Sequence, residues 1–328
     1  MSTAHHRKHR PRVRYDPQPP RAHHATQQPE GEPPPTPRWR EWRVVLLLAM
    51  AGVLFTGAWK AHPLFSLLLP TVATVVWLPA FRHRRVERWL FIYTLGIYVY
   101  TVLRAYADEA GFPVRVEYAI RFDRLLFGGS VPSVLLQREL FSPGDIDWLD
   151  TAATLVHASF FVVPHLALLL IWLKRPGALP AYVASVLCTL YLGLALFFFF
   201  PTMPPWLAAR HAEIASTYRV VDFVLRGVDP QTYRTFYASL AEPNSVAAMP
   251  SIHMALTTLL WLRTRELAPK LSWPLALYSI VMGVSLVYLG EHYVTDVLAG
   301  ALLAALTDYV VRRYFARHAL AQPAPVRV

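Results

Sequence analysis

Cysteine is almost missing from this 328-residue chain, and Cys188 stands alone inside an apolar run. No intrachain disulfide is possible, and the redox compartment cannot be read from cysteine usage. Charge is also scarce, at 16% of residues, against 55% hydrophobic residues and a mean hydropathy of +0.32. Apolar runs such as 44–59, 64–81 and 181–200 approach the ~20 residues that match the hydrocarbon thickness of a bilayer. A soluble fold is excluded on that pattern. Acidic residues are outnumbered, 21 to 32, giving a net charge of +11. That excess does not point to nucleic acid, because it is distributed by membrane topology.

Residues 1–43 carry nine Lys/Arg against four acids, with many prolines and the paired histidines His5-His6 and His23-His24. Such a segment cannot bury a core, so it reads as a basic, solvated tail. It is too long and polar for a cleavable signal peptide, and the expectation is a retained helix from Val44. Eight membrane helices are expected, at about 43–59, 64–81, 89–107, 148–173, 180–200, 250–266, 271–289 and 293–311. With the N-terminus inside, the inner segments hold nine, four, two, three and four Lys/Arg, 22 of the chain's 32. That obeys the positive-inside rule, most clearly at the 81–88 stretch. The expected organisation is a tail (1–43), a transmembrane hairpin (44–81), a membrane catalytic domain (89–312) and a C-terminal tail (313–328), both termini cytoplasmic. Two long segments, 106–147 and 201–249, fall outside, and the apolar residues of the first suggest short interfacial helices roofing a cavity.

Histidine and aspartate are costly in a bilayer, and two motifs supply them: Met249-Pro-Ser-Ile-His253 and Tyr288-Leu-Gly-Glu-His-Tyr-Val-Thr-Asp296. The topology puts His253, His292 and Asp296 at one depth, near the outer interface. His292 and Asp296 are spaced i, i+4, which brings a carboxylate within expected hydrogen-bond reach of an imidazole. The carboxylate fixes the tautomer and leaves the other ring nitrogen free to attack, while His253 supplies a proton. Ser251 and the backbone N–H groups at that helix start suit an anion.

Pro250-Ser251-Ile252-His253 and Ser285 to Asp296, followed by Ala299-Gly300, resemble the second and third signatures of the type-2 phosphatidic acid phosphatase superfamily. The resemblance is strongest over about 245–312. It implies a six-helix phosphatase/phosphotransferase core within the all-α polytopic fold of about eight transmembrane helices that the apolar runs suggest. It also implies His292 as nucleophile, Asp296 as its activator and His253 as acid/base, with no cofactor and no metal. Two departures stand out. The third signature's arginine position is Leu286, and the first signature's lysine and Arg-Pro are replaced by Phe200-Pro-Thr-Met-Pro-Pro-Trp206. That segment, with isoleucine for glycine at 252, is more similar to the inositolphosphotransferase branch, which includes inositol phosphorylceramide synthase and its bacterial relatives. The lost cations leave phosphate binding to others, and the candidates are Arg104, Arg121 and Arg124.

The resemblance implies a lipid phosphoester substrate at the extracytoplasmic face, and the residues alone do not choose water or an alcohol as acceptor. A metal-dependent enzyme is an alternative, since two histidines and a carboxylate can form a facial triad. A transporter or scaffold is another, although no inverted repeat of broken helices is present. Among the remaining polar residues, His157 and His165 either line the cavity or make interhelical hydrogen bonds, the more common use, while Glu291 and Asp150 are expected in solvent and Asp308 in an ion pair with Arg312.

Overall fold

The computed structural model describes residues 85–105, 107, 111–228 and 244–320. The expected tails and hairpin at 1–43, 44–81 and 321–328 lie outside these residues. The described chain is all-helical, with only three isolated β-bridges and no strand. Six helices form a bundle: α1 (Arg85–Ala105), the successive α4 (Trp148–Ser159) and α5 (Val163–Lys174), α6 (Leu179–Phe199), α9 (Ile252–Leu267), α10 (Pro269–Tyr288) and α11 (Val294–Leu320). Because α4 and α5 together fill one of the expected spans, they count here as one broken element. Four short helices lie in the connecting segments: α2 (Glu117–Leu126), α3 (Pro132–Leu140), α7 (Pro205–Arg210) and α8 (Val220–Val228).

Local chemistry sets the helix starts. Asp147 caps α4 in a reciprocal box with Asp150, and Ser251 Oγ accepts the Met254 N–H to cap α9. Prolines open α5, α6 and α10, where a missing N–H costs nothing. The expected continuous helix over 148–173 is instead broken at 160–162, with the two halves bent by 45°. Pro164 is the cause: it cannot donate back into a preceding turn, and its ring disfavours helix before it. The last helix runs past the expected 311 to Leu320.

Among the described residues, three helices are long and apolar enough to cross a membrane, or four if the bent pair is one span. Two expected spans fall short of that test. Helix α9 has 16 residues, about 24 Å of rise. Helix α1 begins with Arg85, Glu87 and Arg88.

Helix α9 lies at the centre, packed against α10, α11 and α6, with α1 outside α6. Tyr182, Leu190, Ile252, Leu256 and Leu259 fill the seam. Two buried polar regions sit at opposite ends of the α9–α11 pair. At the C-terminal end of α9, Arg263 Nε lies 2.7 Å from Asp308 Oδ1, and Arg312 Nε lies 3.0 Å from Asp308 Oδ2. Arg263 also donates to Ser185 Oγ, and Arg312 pairs with Glu266. Asp308 therefore makes the expected pair with Arg312 and a second one with Arg263. The N-terminal end of the pair holds the two motifs.

The connecting segments clamp onto the turn between α10 and α11. Trp206 N–H donates to Gly290 O (3.1 Å) and Val220 N–H to Leu289 O (3.3 Å). Gln137 of α3 donates to the carbonyls of Tyr218 (2.9 Å) and Tyr288 (2.7 Å) and accepts from Tyr218 N–H (2.7 Å). Gly290 has φ +76°, and a Cβ there would sit 2.5 Å from Tyr218 O, so the close approach requires glycine. Thr202 threads between 115 and 246–248 by backbone bonds to Val246 and Ala248, while its neighbours Pro201 and Met203 bond Arg115.

Candidate active site

Main chain joins the two motifs. Ser251 N–H donates to Asp296 O at 3.0 Å, so the starts of α9 and α11 lie side by side. A Cβ on Gly300 would stand 2.2 Å from Ser251 O, and only glycine admits that contact. The start of α11 is held from α2: the buried Asp123 accepts Val294 N–H (3.0 Å), Thr295 N–H (2.9 Å) and the Thr295 hydroxyl (2.6 Å). An aspartate from another helix thus satisfies amides that a local cap would otherwise take. Sequence reading had placed Asp123 only within an outer segment.

The structure brings His253, His292 and Asp296 together. The imidazole centroids of His253 and His292 are 5.8 Å apart. Asp296 Oδ2 lies 3.6 Å from His292 Nδ1 and accepts Tyr293 N–H at 2.9 Å. The expected hydrogen bond between carboxylate and imidazole is therefore not made, because 3.6 Å is an ion-pair distance beyond bonding range. His292 Nδ1 and Asp296 Oδ1 are both buried without a hydrogen-bond partner. The oxygen that faces the ring is the one that accepts the Tyr293 amide.

These imidazoles open onto a cavity of about 370 Å³, whose polar lining also includes His157, Arg104, Arg219 and Glu291. Ile97, Phe160, Leu190, Phe197 and Leu256 form its apolar wall. His157 lines the cavity, the first of its two expected uses, with its ring tilted against His253 at a centroid distance of 4.7 Å. His165 does make such a bond, to Tyr93 OH at 2.8 Å, and also borders the cavity.

Of the three candidate phosphate-binding arginines, Arg104 lines the cavity and two do not. Arg121 and Arg124 lie on the exposed side of α2, and Arg121 pairs with Glu117 in solvent. The helical period explains it: Ala119, Ile120 and Asp123 face inward, which turns 121 and 124 away. Ser251 is fully buried with its Oγ engaged as the α9 cap, so its hydroxyl serves the helix start.

Sequence reasoning misses Arg219 and misplaces Glu291. Arg219 grips Glu291 in a two-point contact, Nε–Oε1 2.8 Å and Nη2–Oε2 3.1 Å, and lies over the Trp206 ring at 4.7 Å. Glu291 is therefore not solvated as expected. Burial alone would raise its pKa, but Arg219 and then His157 outweigh burial and hold its carboxyl below the ordinary value. Asp150 is likewise buried, bonded to Tyr288 OH and to the Asp147 amide. Leu286, at the signature's arginine position, is fully buried, and its carbonyl accepts from the Glu291 and His292 amides. Among the described residues, no three His, Cys, Asp or Glu side chains stand close enough to hold a metal ion.

The family model for the PAP2 superfamily matches residues 138–310, a span that includes both motifs, Arg219 and Glu291, and leaves out Arg104 and Asp123. No curated protein and no solved structure matches the chain.

Proposed function

This chain belongs to the PAP2 superfamily, whose members are phosphatases and phosphotransferases, and from that premise we propose that it transfers the phosphoryl or phospho-headgroup of a membrane lipid through a phosphohistidine. One observation supports this reading above the others: His253 and His292 face one another across the cavity with Asp296 behind His292. Because Nδ1 of His292 is the nitrogen turned to Asp296, Nε2 is the one that attacks phosphorus. The bond from phosphorus to the leaving oxygen breaks, and His253 delivers a proton to that oxygen. His253 then takes a proton from the incoming water or alcohol as its oxygen displaces the histidine. Asp296 stabilises the imidazolium that forms.

In this reading Arg104 and Arg219 replace the missing signature cations. Both line the cavity, and the bidentate hold of Glu291 fixes the Arg219 guanidinium beside His292. The apolar wall accommodates the lipid part of the substrate. The Phe200–Trp206 segment and Ile252 favour an alcohol acceptor, as in the inositolphosphotransferase branch. The proposed topology has eight spans with the site on the extracytoplasmic side and both termini cytoplasmic. No cofactor enters the scheme.

The test is to incubate purified protein with labelled lipid phosphate, with and without inositol or a lipid alcohol. The expected result is an acid-labile, base-stable label on His292, and a new phosphodiester when the alcohol is present. Release of free phosphate alone assigns a phosphatase. Turnover abolished by EDTA and insensitive to vanadate defeats the metal-independent histidine scheme. Unchanged lipid turnover in His292→Ala with loss of some uptake defeats the enzymatic reading itself.

A further inference from the structure

Helix α2 is ten residues long and has three sides. At about 100° per residue, Ala119, Ile120 and Asp123 form the first, buried against the protein. Glu117, Arg121 and Arg124 form the second, charged and exposed. Phe122, Leu125 and Leu126 form the third, and they are 41%, 78% and 49% exposed. Phe127 just beyond the helix and Phe112 and Val114 before it extend this apolar surface, each over 40% exposed. A soluble partner is not what this pattern fits. Asp123 bonds α2 to Val294 and Thr295, the first residues of a helix apolar enough to span a membrane, so α2 stands level with the end of that span. There a helix has protein on one side, acyl chains on another and headgroups with water on the third.

We propose that α2 is a membrane-surface lever: its apolar side inserts among the lipids, its arginines meet the headgroup phosphates, and Asp123 passes the resulting placement to the start of α11. The lever acts on His292 and Asp296 through the amides of 294 and 295, and touches no substrate, so Asp123 is a positioning residue. This coupling deepens the proposed function, because it makes the geometry of the histidine site depend on the bilayer. Arg121 and Arg124, which do not reach the cavity, acquire a use here. Insertion of an amphipathic helix scales with its buried apolar area, and three large side chains suffice to fix its depth when the chain is already anchored.

The experiment uses the full chain in lipid nanodiscs, in a Cys188→Ser background, with a fluorophore attached at Leu125→Cys, Leu302→Cys or Arg121→Cys. Leu302 lies on α11 and is 60% exposed, so it serves as the lipid-facing reference. Quenching by acyl-chain-labelled lipid at 125, comparable to that at 302 and well above that at 121, is expected. Equal and weak quenching at 125 and 121 overturns insertion. Hydrogen exchange then tests coupling: the triple change Phe122→Ser, Leu125→Ser, Leu126→Ser should speed exchange of the Val294 and Thr295 amides by about tenfold or more, the loss of one charge-assisted bond. Unchanged exchange overturns the lever. Neither readout needs turnover, so an inactive wild-type protein defeats the proposed function while these probes still judge α2.

Discussion

The two ends of the α9–α11 pair each bury charge, and they handle it in opposite ways. At one end Asp308 contacts Arg263 and Arg312 at 2.7 and 3.0 Å, and Ser185 and Glu266 complete the network. At the other, Asp296 stands 3.6 Å from His292, whose ring opens onto the cavity. A loosely paired histidine that lines a cavity marks a candidate place for chemistry. The network of short ion pairs marks a place kept for shape. The same two helices therefore carry a structural end and a candidate reactive end, told apart by ion-pair distance and by the cavity at one of them rather than by residue type.

Breaking the reactive end should have the largest effect. His292→Ala is expected to lower turnover of p-nitrophenyl phosphate at least about a thousandfold, with a thermal midpoint close to the parent's. A melt that collapses together with activity would erase the distinction between the ends. The reverse profile is expected for Asp308→Ala. Stranding the buried Arg263 costs about 3–5 kcal/mol, read as a lowered unfolding midpoint, while activity per folded molecule stays near the parent's. An intermediate result belongs to Asp123→Ala, which removes the cap supplied by α2. Stability falls by about 1–3 kcal/mol, and activity falls with it because the start of α11 loosens.

The smallest effect concerns pH. Glu291 titrates below its ordinary carboxylate value, so the stability it contributes with Arg219 is fully present above that value. It is lost as pH falls through the depressed folded value. Unfolding measured between about pH 3 and pH 6 should show a weaker acid dependence in Glu291→Gln than in the parent. An identical slope would show that Arg219 draws nothing from this carboxylate.

How much of this was legible in the sequence depends on distance along the chain. The bundle helices followed from apolar runs and their end signals, and the histidine–aspartate group from i, i+4 spacing and motif order. Pro164 was a readable sign that 148–173 is broken, and the period of α2 already separated Asp123 from Arg121 and Arg124. Arg219 was not readable. It reaches the cavity because Gln137 and Leu289 hold its loop by bonds to main chain, and such long-range contacts leave no local periodicity. Nor was Asp123 readable as a cap, since its amides lie about 170 residues away.

The hydrogen bond from Ser251 N–H to Asp296 O, with Gly300 against it, has one further consequence. A bond between main chains is indifferent to side-chain identity, so the side-by-side placing of the starts of α9 and α11 does not depend on which side chains line the cavity. A His253 or His292 variant should therefore keep both helix starts in place, so that any loss of activity in it reads the side chains and not the scaffold.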